Sequence, residues 1–386
     1  MFKNRYIHTF QWFFSSLLIG LFTACSSSSG EDGGGDGPVH KPTLLTIYVY
    51  SPESAATRQS ASSRAETGNV QPVGEETTIH SLQIWIYESE SKAFVAYLST
   101  KEVTTLNMGE GATYQLPVSD DFASRKPSVD VYVLANVTAA NCGVGTLDDQ
   151  TTHQGLMDGA KIKDHFGLGT LQTSVPEQGL PMAGKLTVQP VVGDAPALRV
   201  GTISQVAIVQ LTRAVSKLRF VFAKTTGQPT VNITGITMNA GMIPNEEYLF
   251  KTPSSAYNAG ASSLLSTPIA DVAETTDPTE YIYFDQEAQA YEDLINGAGL
   301  TVHGPIYLRE SDKQLAGTIT YKIIKDPEQT AEEQTADFQM QRAGDFLRNH
   351  TWIVYAYYAG SGRLQVQSLY VKDWSGKEMA HSFYNW

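Results

Sequence analysis

A chain of 386 residues is long enough for two domains with separate cores, and its 40 acidic against 27 basic side chains give a formal net charge of −13. Such a surface is repelled by phosphate backbones and anionic headgroups, which argues against nucleic acid as a partner. With only two cysteines and no CxxC pair, the chain has no disulfide framework to build on.

The N-terminal segment reads as an export signal. Lys3 and Arg5 form a short basic region, Phe13–Phe22 is a mostly apolar run interrupted by Ser15 and Ser16, and Ala24 is the small residue at the junction. The run is too short to span a bilayer comfortably. Thr23-Ala24-Cys25 fits a bacterial lipoprotein signal, in which the cysteine thiol takes a diacylglycerol and the new amino group a third chain, with Phe22 where Leu is usual. Residues 1–24 are therefore predicted to be a signal peptide and Cys25 the lipidation site. Loss of Lys3 and Arg5 leaves a mature charge of roughly −15. Residues 25–42, with the Gly/Ser-rich acidic stretch Ser26–Pro38, bury nothing and read as a flexible tether to the outer membrane.

Strands dominate the chain from residue 43 onward. The stretches 43–50, 81–87, 129–137, 184–192, 206–211, 217–223, 230–238, 281–284, 317–324, 351–358 and 363–374 are rich in β-branched and aromatic residues and bounded by turn residues. Helical periodicity is confined to 286–297 and, more weakly, 331–340. Many short strands with few helices predict an all-β fold of two tandem antiparallel β-sandwich domains. The Gly/Pro-broken stretch Val192–Gly201 is the expected boundary, giving domains of about 65–195 and 200–386.

The search for chemistry yields no catalytic residue, no metal ligands and no cofactor motif. His153 and His165 lack metal-ligand spacing, and "GVG" (143–145) and "GLG" (167–169) lack the further glycine and strand-to-helix context of a dinucleotide site. Cys142 in "NVTAANCGVG" reads as a small buried hydrophobe. The acid pairs Asp120-Asp121 and Glu246-Glu247 read as solvated turns, and the sequons at Asn136, Asn232 and Asn349 as chance.

The segment after the tether is more informative. In 43–50, "TLLTIYVY", Leu45, Ile47 and Val49 share one face and Leu44, Tyr48 and Tyr50 the other. The next 28 residues, 51–78, are small and polar, and contain Arg58 and Arg64, so a trypsin-like protease could enter there. A strand that cleavage can release would leave an apolar groove with unpaired backbone groups, which another extended segment can fill by β-augmentation. Three inward apolar residues at roughly 1.5–3 kcal/mol each make that exchange strong before ordering costs.

In this setting a series of motifs resembles the FimA-like fimbrillins, the type V pilins of Bacteroidales. "SSRAETG" sets an Arg before a small residue ahead of "SLQIWIYES"; "VYVLANVT", "GLPMAGK", "VQLTRAVSKLRFVF" and "RNHTWIVYAYYAG" come next in the family's order, and the chain ends on "VKDW" and Trp386. The resemblance implies transthyretin-like Greek-key sandwiches and a lipidated precursor cut by an Arg-specific protease. The opened groove then takes a C-terminal strand from the next subunit. On this chain the removable strand would carry Leu45, Ile47 and Val49, the cut would fall after Arg64 with Arg58 as second site, and 43–64 would be lost. The donor would lie near 363–386 and carry Leu364, Val366, Leu369 and Val371. The two donor pairs differ in parity, which predicts a bulge near Gln367-Ser368. Implied partners are other copies of the chain, accessory fimbrial subunits and a host or bacterial surface ligand; the implied location is a cell-surface fimbria supporting adhesion and biofilm formation. The alternatives are an uncleaved anchor or tip subunit, or a surface glycan-binding lipoprotein. The C-terminal segment can equally be an ordinary strand of its own domain.

Overall fold

The computed structural model describes residues 43–50, 76, 78–100, 111–139, 147–163, 166–168, 171–192, 197–202, 205–206, 208–251, 256–282, 297–340, 344 and 346–373. Cys25, the tether, Arg58, Arg64, Cys142, His165, residues 286–296 of the candidate helix and Trp386 lie outside them.

Alternation of apolar and polar residues sets the first sandwich. Its strands are β1 (Thr43–Tyr50), β2 (Leu82–Glu88), β3 (Phe94–Thr100), β4 (Gly111–Val118), β5 (Val129–Ala135), β6 (Lys161–Lys163), β7 (Met182–Val188), β8 (Pro190–Val192), β9 (Ala197–Thr202), β10 (Gln205–Val206), β11 (Ile208–Gln210) and β12 (Thr212–Arg213). One sheet has β1 at its centre, with β4 on one side and β9 then β11 on the other; β8 and β10 extend β9. The facing sheet runs β12-β7-β5-β2-β3, all antiparallel. Between them lie Leu45, Ile47 and Val49 with Ile84, Ile86, Val131, Val133 and Leu116. The outer face of β2 and β5 carries Trp85, Tyr87, Tyr132 and Leu134 in a second apolar cluster, which explains why β5 is buried along its whole length. Two short helices complete this half: α1 (Asp120–Arg125), capped by Ser119 with the acids of the 120–121 pair in its first turn, and α2 (His153–Gly159), capped by Thr152.

The second sandwich comprises β13 (Ser216–Thr225), β14 (Thr230–Met238), β15 (Glu246–Tyr248), β16 (Ser262–Ser263), β17 (Glu274–Thr275), β18 (Thr301–Leu308), β19 (Ala316–Ile324), β20 (Glu333–Gln339), β21 (His350–Tyr358) and β22 (Gln365–Asp373). Its sheets are β17-β13-β21-β22, with β18 also on β13, and β16-β14-β19-β20. Phe220, Phe222, Ile233, Ile319, Trp352 and Val354 lie in the core between them.

Three expectations change. The Gly/Pro-broken stretch 192–201 is not a domain boundary in pairing terms, because β9, β11 and β12 beyond it complete the first sandwich as far as Arg213. Residues 331–340 form no helix: Gln334, Ala336 and Phe338 alternate with exposed residues, and the segment pairs along β19 as an edge strand. Residues 278–281 form a 3₁₀ turn, since Asp277 accepts from Thr279 N–H and Pro278 fits its first position, so the expected strand does not begin at Tyr281. β4 and β18 are obscured in the sequence by the turn-type residues Gly111, Pro117, Gly304 and Pro305, whereas β3, a β-rich run, is not among the expected strands.

Candidate functional site

The slot of β1 is built by residues whose chemistry is simple. Threonine, isoleucine, tyrosine and valine favour the extended chain, and period-two alternation puts every second side chain inward. Leu45, Ile47 and Val49 are fully buried, while Leu44, Thr46 and Tyr48 on the outer face are half-buried. All eight residues pair antiparallel with β4, from Thr43 opposite Val118 to Tyr50 opposite Gly111. The other edge is shared in parallel by two strands, Leu44–Thr46 running beside Ala197–Arg199 and Tyr48–Tyr50 beside Ile208–Gln210. Without β1 the sheet would have a gap one strand wide, and a replacement that reproduces both ladders runs in the direction of β1.

Two details of β4 shape the slot. Tyr48, opposite Thr113, leans diagonally onto Gly111, and a Cβ at Gly111 would clash with the hydroxyl end of the Tyr48 ring. Tyr114, opposite Ile47, points its hydroxyl into the core, where that oxygen is buried and has no hydrogen-bond partner among the described residues. Burial pushes its pKa up to about 12.

Immediately beyond the Arg-containing segment, Glu76 is clamped. Its carboxylate accepts from the Tyr307 hydroxyl at 2.5 Å and faces Lys217 Nζ at 3.4 Å, and its carbonyl accepts from Arg213 Nε at 2.8 Å. Arg213 Nη1 in turn donates to Asn349 Oδ1 at 2.9 Å. Glu76, Arg213, Lys217, Tyr307 and Asn349 are all buried. They come from the first sandwich (Arg213 on β12) and the second (Lys217 on β13, Tyr307 on β18, Asn349 before β21). Whatever happens to the chain before residue 76, this clamp holds the chain beyond it. Burial next to Glu76 drives the Tyr307 hydroxyl well above its ordinary pKa, so it stays a donor.

A second polar cluster lies where β15 pairs with β6 across the two sandwiches. Glu247, expected in a solvated turn, is fully buried at the centre of β15. Arg348 Nη2 reaches Glu247 Oε1 at 2.5 Å and Glu310 Oε1 at 2.6 Å, and Glu310 N–H donates to Glu247 Oε2 at 2.8 Å. Burial raises the Glu247 pKa well above the carboxylate range, whereas Arg348 beside it holds Glu310 below that range against its own burial. Charged residues set within the apolar run 209–222 are the one sequence signal for such seams; Glu76 carries none.

At the other end of the chain, β22 pairs antiparallel with β21 of its own sandwich. Leu364 is buried in that core, its N–H donating to the Tyr321 hydroxyl at 3.0 Å, and Val366 packs against the same core. Position 369 pairs with Ile353 and position 371 with Thr351. The expected bulge near Gln367-Ser368 is absent: the register is continuous from Gln365 to Val371, and its one shift falls between the partners of Val371 and Asp373. No phase change is needed because this sheet is apolar on both faces. Trp352, Val354 and Ala356 line the sandwich core, and Ile353 and Tyr355 belong to a cluster on the opposite face with Val221, Ala223 and Leu300.

The remaining candidates are structural. Asn136, at φ 59°, donates to the carbonyls of Thr78 and Leu180 and accepts from His80 N–H. His153 shares a hydrogen bond of 3.0 Å with the Tyr132 hydroxyl. Among the described residues no group of three His, Cys, Asp or Glu could hold a metal ion.

Residues 45–213 match the family model of the major fimbrial subunit protein (FimA), a span running from β1 to the last strand of the first sandwich. No curated protein matches the chain. A candidate cell adhesion protein from Parabacteroides distasonis ATCC 8503 shares the fold at a TM-score of 0.51 and 13% identity, over 86% of this chain and 97% of that one. The tip fimbrial protein Mfa3 from Porphyromonas gingivalis, with C-terminal truncation, gives a TM-score of 0.41 at 13% identity, over 85% of this chain and 100% of that one. Over residues 45–213 the chain is thus similar to the FimA family of major fimbrial subunits.

Proposed function

We propose that this protein is a polymerising subunit of a cell-surface fimbria. It is exported as a lipoprotein acylated on Cys25, cut after Arg64 (or Arg58) by an Arg-specific protease, and assembled by strand exchange with copies of itself and accessory subunits. The observation that carries this reading is the place of β1. It is the central strand of its sheet and fully buried on one face, and it is joined to the rest of the described chain only through the polar segment that holds both arginines. A strand so placed leaves a defined gap rather than a frayed edge, and the Glu76 clamp keeps the remainder in register. The two edges of the gap each offer ladder hydrogen bonds, and the inward seats accept three aliphatic side chains worth roughly 1.5–3 kcal/mol apiece. Adhesion and biofilm formation are then properties of the fimbria as a whole.

The test is the N-terminus of the protein recovered from the bacterial surface. Ala65, or a residue after Arg58, supports a cleaved shaft subunit; an N-terminus at acylated Cys25 makes the protein an uncleaved anchor or a surface glycan binder instead. Replacing Arg58 and Arg64 together should yield monomers with no polymer on size exclusion, and normal polymer from that variant overturns the cleavage step. Cys25→Ala should leave a precursor that takes up no fatty-acid label.

A further inference from the structure

We propose that Gln367–Val371 of a second copy fills the vacated slot in one register, with Gln367 in the seat of Leu45, Ser368 at Thr46, Leu369 at Ile47, Tyr370 at Tyr48 and Val371 at Val49. The inference rests on the strand-exchange reading and adds the residues that decide the fit.

Three observations converge on that register. The first is sequence: Ser368-Leu369-Tyr370-Val371 repeats Thr46-Ile47-Tyr48-Val49 in residue character at every position. The second is the notch at Gly111. The outer-face aromatic of β1 occupies space that any side chain at 111 would take, so the slot asks for a tyrosine at that seat, and Tyr370 supplies one. The third is the Tyr114 hydroxyl. Tyr48 reaches Gly111 along the diagonal that runs from residue i to j−2 across the pair, and the same diagonal leads from Tyr114 to the seat of Leu45. An aliphatic residue there leaves the buried hydroxyl without a partner; the amide of Gln367 brings a donor and an acceptor to it. The one polar residue among the inward seats thereby meets the one unpartnered polar atom described in the slot.

Competing registers fare worse. Sliding forward by two places Asp373 in the Val49 seat, an unpaired charge in a dry core. Sliding back by two places Gln365 and Gln367 in the Leu45 and Ile47 seats. The opposite parity, with Leu364 and Val366 inward, withdraws Leu364 from its own sandwich core and sets Gln367 in the aromatic notch. Leu364 and Val366 thus stay with the donor's own domain, and the exchanged segment begins at Gln367.

Intermolecular cysteine pairs read the register directly. In cleaved protein with Cys142 replaced by Ser, Gln115→Cys with Ser368→Cys should form a disulfide-linked ladder under oxidising conditions, and Gln115→Cys with Gln365→Cys should not. A ladder from the second pair alone, or polymer formation with neither pair linked, overturns the register while leaving strand exchange standing. Absence of polymer in the wild type would instead strike the exchange reading itself. A complementary pair tests the notch: an acceptor carrying Tyr48→Ala and Gly111→Val should lose assembly at least tenfold with wild-type donor and regain it with Tyr370→Ala donor. No regain refutes Tyr370 as the occupant. Tyr114→Phe should act with opposite signs, raising the melting temperature of the uncleaved monomer and slowing polymer formation severalfold. Equal signs in the two states would show that Gln367 does not reach that hydroxyl.

Discussion

β1 and β13 hold equivalent positions in the two sandwiches and differ in how they are held. Each is the first strand of its sandwich, and each is central, with one long neighbour on one side and two shorter ones on the other: β4 against β9 and β11 for β1, β21 against β18 and β17 for β13. β13 is buried on both faces. Phe220 and Phe222 enter the sandwich core, Val221 and Ala223 the opposite cluster, and Lys217 and Arg219 are buried as well. β1 is buried on one face only. Centrality in a sheet therefore does not by itself make a strand permanent. A strand buried on one face is defined by three seats and two ladders, which another strand can reproduce, whereas one buried on two faces and tied by buried charges is matched by nothing outside its own domain.

The comparison is broken most forcefully in the second sandwich. Phe220→Ala removes a fully buried ring that meets Phe338 edge-on at 5.3 Å between centroids, and should cost about 3–5 kcal/mol in urea unfolding. The loss should be the same before and after cleavage, because β13 stays in place in both forms. Ile47→Ala should cost about 2–5 kcal/mol in the precursor and nothing in the cleaved subunit, which no longer contains it. An equal loss in both forms would mean that β1 never leaves.

What the sequence displays depends on which physical rule wrote it. β1, β14, β19 and β21 are legible to within a residue or two because alternation or unbroken β-branched and aromatic runs announce them. β4 is not, since Gly111 and Pro117 read as turn residues, yet Gly111 is there to admit the Tyr48 ring. β20 shows acidic and small residues that mimic a helix face, and only pairing with β19 decides otherwise. The seats of Leu45, Ile47 and Val49 follow from period two alone. The Glu76 clamp cannot, because a single hydrogen bond within it joins residues 231 positions apart and its members meet only once both sandwiches exist. Leu369 and Val371 carry an ambiguity of the opposite kind: their parity demands a bulge only if one face is wet, and this sheet has two dry faces.

A smaller effect sharpens the role of the clamp. Asn349→Ala takes away the carbonyl oxygen that Arg213 Nη1 bonds and should cost about 1–3 kcal/mol. If the clamp isolates the rest of the molecule from the departure of β1, the cost should be similar with and without cleavage. A loss seen only after cleavage would show that β1 and the clamp share the task of holding the first sandwich to the second.

The smallest expected effect is one of pH and concerns the other seam. Glu247 faces Arg348, Glu310 and Arg309, and its burial outweighs the two cations, so the folded state keeps its proton to higher pH than the unfolded chain does. Stability from this group is fully present below the unfolded pKa of about 4.3 and is lost as pH rises through the raised folded value. Glu310 works in the opposite sense: with a lowered folded pKa, its contribution is present above the unfolded value and falls away in acid. Between pH 5 and 8 Glu310 is already ionised in both states, so of these two carboxylates only Glu247 contributes a slope in that window, at most about 1.4 kcal/mol per pH unit for one proton. Glu247→Gln keeps the shape and removes the titration. The difference in melting temperature between variant and wild type should therefore move in the variant's favour as pH rises from 5 to 8. A difference that stays constant across that window would mean that Glu247 is ionised in the folded protein and that Arg348 serves both carboxylates as a full ion pair.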